Sequence, residues 1–144
     1  MTEFEILANQ SNSYMNNAVY QVAVIIGVFI SFRAARIANQ SGAHPVMKAL
    51  ISIFGFAVVW LNLQLAAWRI VFDQAAAIRL SELQESGAKL TGPSVQQIEF
   101  LGLTSADVTS YNLFADVPSV IFSLVIFAII LIGAWGPKLS LTSD

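Results

Sequence analysis

Apolar residues gather into three windows, residues 18–38, 46–72 and 117–136. A helix crosses a bilayer with about 20 predominantly apolar residues, and each window is that long. Between the first two lies "NQSGAHP", residues 39–45, where Gly42 can end one helix and Pro45 can open the next. No breaker follows Phe72. Apolar residues recur at 72, 76, 80 and 83, so the second helix is expected to run on to about Ser86, with Gly87 as its cap. Residues 1–17 are polar and rich in Asn and Ser, which predicts a short tail with one amphipathic turn at Phe4, Ile6 and Leu7. After the breaker pair Gly92-Pro93, Ser94 and Gln97 form a capping-box pattern, predicting a short helix closed by Gly102. A second such pattern, Thr104 with Asp107, predicts a helix leading toward the third window. The segment 73–116 is too small for its own core, so Ile98, Phe100, Leu101 and Leu103 need a surface to lie on. The expected fold is therefore an all-α integral membrane protein with three transmembrane helices, the second extending beyond the membrane, and a helical external loop.

Composition supports that expectation. Hydrophobic residues make up 56% of the chain and charged residues 11%, with a mean hydropathy of +0.69; ordinary globular proteins carry roughly 25% charged residues. The N-terminal stretch is acidic and has no basic residue before the first apolar window, which argues for a retained helix and against a cleaved leader. Arg33, Arg36 and Lys48 flank the turn 39–45, and Lys138 follows the third window. Glu3, Glu5, Asp73, Glu82, Glu85, Glu99, Asp107 and Asp116 collect on the other side. The positive-inside rule then puts the N-terminus outside and the tail 137–144 in the cytoplasm, in a bacterium across the inner membrane.

Chemistry has little to work with. With no Cys there is no thiolate ligand, disulfide or Cys nucleophile. The single His, His44, sits in the turn, where an ordinary solvated residue is expected, and no His lies at depth to ligate haem. Glu82 and Glu85, at i and i+3, read as a solvated acidic face rather than a cation site. A net charge of −2 without a clustered basic face argues against nucleic acid. No catalytic, cofactor-binding or metal-ligating residues are expected, and no enzymatic activity.

Helix packing carries more information. In lipid, helices associate through close contact of small residues and through interhelical hydrogen bonds. Ala23, Gly27, Ser31 and Ala35 make a small-residue stripe, each four apart, on the first helix; Ala115, Ser119 and Ser123 make a weaker one. On the second helix, Ser52, Gly55, Val59, Asn62, Ala66, Arg69 and Asp73 share one small and polar face. Gln64 lies about 200° from Asn62 and shares a stripe with Phe56, Trp60 and Trp68. An unsatisfied amide in hydrocarbon costs several kcal/mol, so both faces are expected to be covered by protein, one within the chain and one by another subunit. The plain alternative is that Gln64 bonds back to its own helix. Arg69 can snorkel beside Trp68, or form an ion pair with Asp73 at i+4.

These features predict a non-enzymatic scaffold or accessory subunit, partnered by the lipid bilayer and by further copies or a larger membrane complex. The alternatives are a pore former of the holin kind, by analogy of size and span number, and a structural membrane protein of a lipid-containing virion.

Overall fold

A computed structural model describes residues 1–137 of the chain; the sequence-predicted role of Lys138 and most of the tail 137–144 fall outside them. The described residues form four helices and no strand: α1 (Glu3–Gln40), α2 (Pro45–Glu85), α3 (Gly92–Leu101) and α4 (Val117–Trp135). Three of them, α1, α2 and α4, are long and apolar enough to cross a membrane. With 38 and 41 residues, α1 and α2 run for about 57 and 61 Å, roughly twice the 30 Å hydrocarbon thickness.

The turns follow from local chemistry. Gly42, at φ +67°, ends α1 in a Schellman motif: its N–H bonds the Asn39 carbonyl at 3.2 Å while the Ala43 N–H bonds that of Ala38 at 2.9 Å. Gly87, at φ +90°, repeats the device after α2, with Ala88 bonding the Leu83 carbonyl. His44 is more than a solvated turn residue. Its Nδ1 accepts the Val46 N–H at 3.3 Å, capping the first turn of α2.

Three local expectations need correction. Residues 3–17 are not a loose tail but the first four turns of α1. The N-cap of α3 is Thr91, not Ser94, since Pro in the first turn already suits a helix start. Thr104 and Asp107 do bond each other, the carboxylate accepting the Thr104 N–H at 2.7 Å and its hydroxyl at 2.8 Å. That bonding closes a turn and nothing helical follows before Val117, because Asp and Thr favour such turns as readily as helix caps.

The chain divides into two compact units. One comprises residues 21–64 and the chain from Asp116 onward. Here α1 and α4 run in one direction and α2 runs against them, around a core of Ala35, Val59, Ile126, Ile130 and Ala134. Glycines allow the close approach. A Cβ on Gly27 would lie 2.9 Å from Val58, and one on Gly55 would lie 2.9 Å from Ile130. The other unit comprises residues 1–20 and 65–115. Its core is Ile6, Ala76 and Leu80, against which Leu7, Leu83, Leu90 and Ile98 pack. A Leu buried as completely as Leu80 stabilises by about 1.5–3 kcal/mol, so this small helical unit does have a core.

Candidate functional site

Among the described residues no three His, Asp or Glu side chains gather as metal ligands; the candidate features are the polar contacts that lock helices together and the polar group they leave out. Asn62 is the centre of the first set. It is buried on α2, its Oδ1 accepting from Gln21 Nε2 of α1 at 2.9 Å while its Nδ2 donates to Ser123 Oγ of α4 at 2.9 Å. One amide thus joins all three helices, and a buried amide requires such partners. A second clasp forms where α1 and α4 end. Asn39 Nδ2 donates to the Gly136 carbonyl at 3.0 Å, Lys48 Nζ donates to Asn39 Oδ1 at 3.2 Å, and Trp135 Nε1 donates to Ser52 Oγ at 3.0 Å. The Lys48 ammonium also sits 5.7 Å from the Trp135 ring centroid, a cation–π distance.

The small-residue stripe of α1 is used within the chain, with one change. Gly27, Ser31 and Ala35 are buried, and Ser31 returns its hydroxyl proton to the Gly27 carbonyl at 2.8 Å. Ala23 is exposed, and Val24 and Ala38 are buried instead. On α2, Gly55, Val59, Asn62 and Ala66 are buried. The opposite side is different. Trp60 is exposed, and Phe56 lies 6.0 Å from its ring and 5.7 Å from Phe127 of α4. Gln64 is half-buried, and among the described residues its amide has no hydrogen-bond partner. It does not bond back to its own helix.

In the unit formed by residues 1–20 and 65–115, the polar contacts join α1 to α2 and α3. The expected Arg69–Asp73 pair is replaced. Asp73 Oδ1 accepts from Gln10 Nε2 at 2.9 Å and from the Tyr14 hydroxyl, while Arg69 is exposed and donates no hydrogen bond to it. Tyr14 and Gln10 reach Asp73 from α1, which sequence spacing along α2 alone does not reveal. Burial, with the adjacent Asp73 carboxylate second, pushes the Tyr14 phenol up to about 12. Asn17 Nδ2 donates to the Leu65 carbonyl at 3.0 Å. Trp68 is half-exposed, with its ring 6.1 Å from Phe72 and 5.5 Å from Tyr111.

Glu3 closes this unit. Its carboxylate accepts the Thr91 N–H at 3.2 Å, along with the Thr91 and Ser94 hydroxyls, at the N-terminus of α3. A carboxylate there meets both free N–H groups and the positive end of the helix dipole. The Ser94 and Thr91 hydroxyls hold the Glu3 carboxyl below its ordinary value. Ile98 packs on the core, but Phe100 is 89% exposed and finds no surface within the chain.

Sequence reasoning missed Gln21, Ser123, Gln10, Tyr14 and Glu3 as partners. Gln21 did carry a signal: it is the one amide inside the first apolar window, seven residues before Val28 and fourteen before Ala35, on the inward edge of α1. The arrangement as a whole is a device for positioning helices, with one amide left over. Comparison with models of protein families, with curated proteins and with solved structures finds no match.

Proposed function

We propose that the protein is a non-enzymatic integral membrane protein that self-associates as a scaffold or accessory subunit. The N-terminus and the segment 73–116 lie outside, the turn 39–45 lies in the cytoplasm, and the membrane is a bacterial inner membrane. The observation that carries this reading is the contrast between Asn62 and Gln64. Asn62 is bonded within the chain through both its oxygen and its nitrogen. Gln64 lies on the outward face beside Trp60, five residues or about 7.5 Å from the middle of the 46–72 window, where hydrocarbon offers an amide nothing. A second copy supplies the remedy. Carboxamides pair with one another, donor to acceptor, and a two-fold contact brings Gln64 opposite its own counterpart. Exposed Trp60 then adds apolar contact around the pair. A conducting pore fits less well, since an amide lining a lumen would not have both its oxygen and its nitrogen occupied by neighbouring helices as Asn62 does.

The test uses Ala57, which is exposed and lies one heptad before Gln64 on the same face. In native membranes, Ala57→Cys should crosslink into dimers under mild oxidation, and adding Gln64→Leu should weaken that band. Ala66→Cys, buried on the opposite face, should not crosslink. A monomer at every position, in membranes and in mild detergent, would remove the proposal.

A further inference from the structure

Polar contact holds α1, α2 and α4 together at two levels, and an apolar cleft opens between α1 and α4. At one end the two helices touch: Ala35 meets Gly133, where an added Cβ would lie at 3.4 Å, and Asn39 bonds Gly136. Toward Gln21 and Phe122 they part, leaving a cleft of about 370 Å³ with α2 residues Val59 and Asn62 at its floor. That volume lies within the range of small-molecule pockets, about 300–1,000 Å³. The walls are aliphatic and aromatic, from Val24 down to Phe32 on α1 and from Phe122 to Ile129 on α4.

We propose that this cleft is a lipid site, holding one acyl chain of a glycerophospholipid. The inference rests on the reading that these helices cross a bilayer. Length is the first argument. Gln21 to Phe32 spans eleven residues, about 16 Å, which matches the hydrocarbon of one leaflet, half of about 30 Å. Polarity is the second. The polar lining is confined to Gln21, Asn62 and Ser123 at one end, where the three side chains bond one another, so the rest of the cleft presents only hydrocarbon to an acyl chain. Charge is the third argument. No charged residue lines the cleft, so the carboxylate of a free fatty acid would find no cation there, whereas a neutral ester needs none.

Reconstitution into phosphatidylcholine vesicles containing a phosphatidylcholine with a diazirine at one chain end tests the site. After irradiation, mass spectrometry should place adducts several-fold more often on Val28 and Phe32, inside the cleft, than on Leu50 and Ile53. Those two α2 residues lie outside it and are more exposed, so exposure alone would label them first. Val125→Trp and Ile129→Trp fill the cleft from its rim and should abolish adducts on Phe32, whereas Ile121→Trp, exposed but outside it, should leave them. Two rim variants guard against one that fails to fold, and the circular dichroism of each is compared with the parent. Excess palmitate present during irradiation should not reduce adduct formation; if it does, the occupant is a free fatty acid and the proposal is wrong. Even labelling of all outward faces overturns the site but keeps the membrane reading. No labelling of any helix overturns both.

Discussion

Asn62 and Gln64 stand two residues apart, about 200° around α2, and their fates divide on whether a neighbour stands within reach. Each of Asn62's two side-chain bonds spans helices. Such bonds are worth about 0.6 kcal/mol on average and up to about 1.7 in membrane proteins. Asn62→Leu, close in size but without either group, should therefore destabilise the fold by about 1–2 kcal/mol, read from reversible unfolding in mixed detergent micelles. An unchanged midpoint would show that the two bonds contribute nothing net. Tyr14 tests the same idea by titration. Its phenol is raised from 10.0 to about 12, so the folded state favours the neutral form. The stability this contributes is fully present below about pH 10 and is lost as pH rises through about 12. The ultraviolet step of tyrosinate formation at that alkaline end should vanish in Tyr14→Phe. The apolar pattern shows that Asn62 needs partners, but Gln21 and Ser123 lie 41 and 61 residues away, and period alone does not fix which faces meet.

At the scale of elements, sequence and structure agree where a helix is decided locally and part where it is decided by contact. The ends of α2 are written in its caps, His44-Pro45 at one end and Gly87 at the other, and α4 follows its apolar window. The first four turns of α1 open on a capping box, the Glu5 carboxylate accepting the Thr2 N–H at 2.7 Å and the Thr2 hydroxyl accepting the Glu5 N–H at 3.3 Å, but the Asn and Ser residues that follow are weak helix formers. They are helical through what they touch: Ile6 in the core, Gln10 and Tyr14 on Asp73, and Glu3 on α3. The Glu3 contact has a predictable pH dependence. Its carboxyl is lowered from 4.5, so docking is supported above that pH and weakens as pH falls through the folded value. The protection factor of the Val95 amide, its exchange taken against the intrinsic rate at each pH, should fall in acid and in Glu3→Gln at neutral pH; unchanged protection in both would remove the role of Glu3. Packing between α2 and α4 is set by Gly55, where a methyl group meets Ile130 Cγ2 on a stiff β-branched side chain. Gly55→Ala should cost about 1–3 kcal/mol as overpacking. Gly55→Ala with Ile130→Ala should cost clearly less than the sum of the single changes, a coupling that separates a clash from general damage.

For the whole molecule, the proposed membrane reading turns on the mismatch between helix length and bilayer thickness. At 41 residues and about 61 Å, α2 exceeds the hydrocarbon by about 30 Å. Its apolar window begins next to His44 and is itself about 40 Å long, so about 20 Å of the excess falls at the other end, from Asp73 to Glu85, and the rest lies within the window. There the helix bonds Tyr14 through Asp73, Ser110 through Gln74 and Ser105 through Glu85. The proposed topology then makes a sharp statement about sidedness. The chain has no Cys, so single cysteines report without background. Ser86→Cys and Ser105→Cys should react with a membrane-impermeant maleimide added to intact spheroplasts. Ser41→Cys, in the turn after α1, should react only once the membrane is opened. Both outer positions lie in one unit and Ser41 in the other, so the pattern reads the two ends of α2 independently. Reversal of the pattern would keep three spans but overturn the orientation drawn from Arg33, Arg36 and Lys48. Labelling of all three positions in sealed spheroplasts would mean that α2 does not cross at all, and the case for Gln64 as a contact between copies would have to be remade in water, where an exposed amide requires no partner.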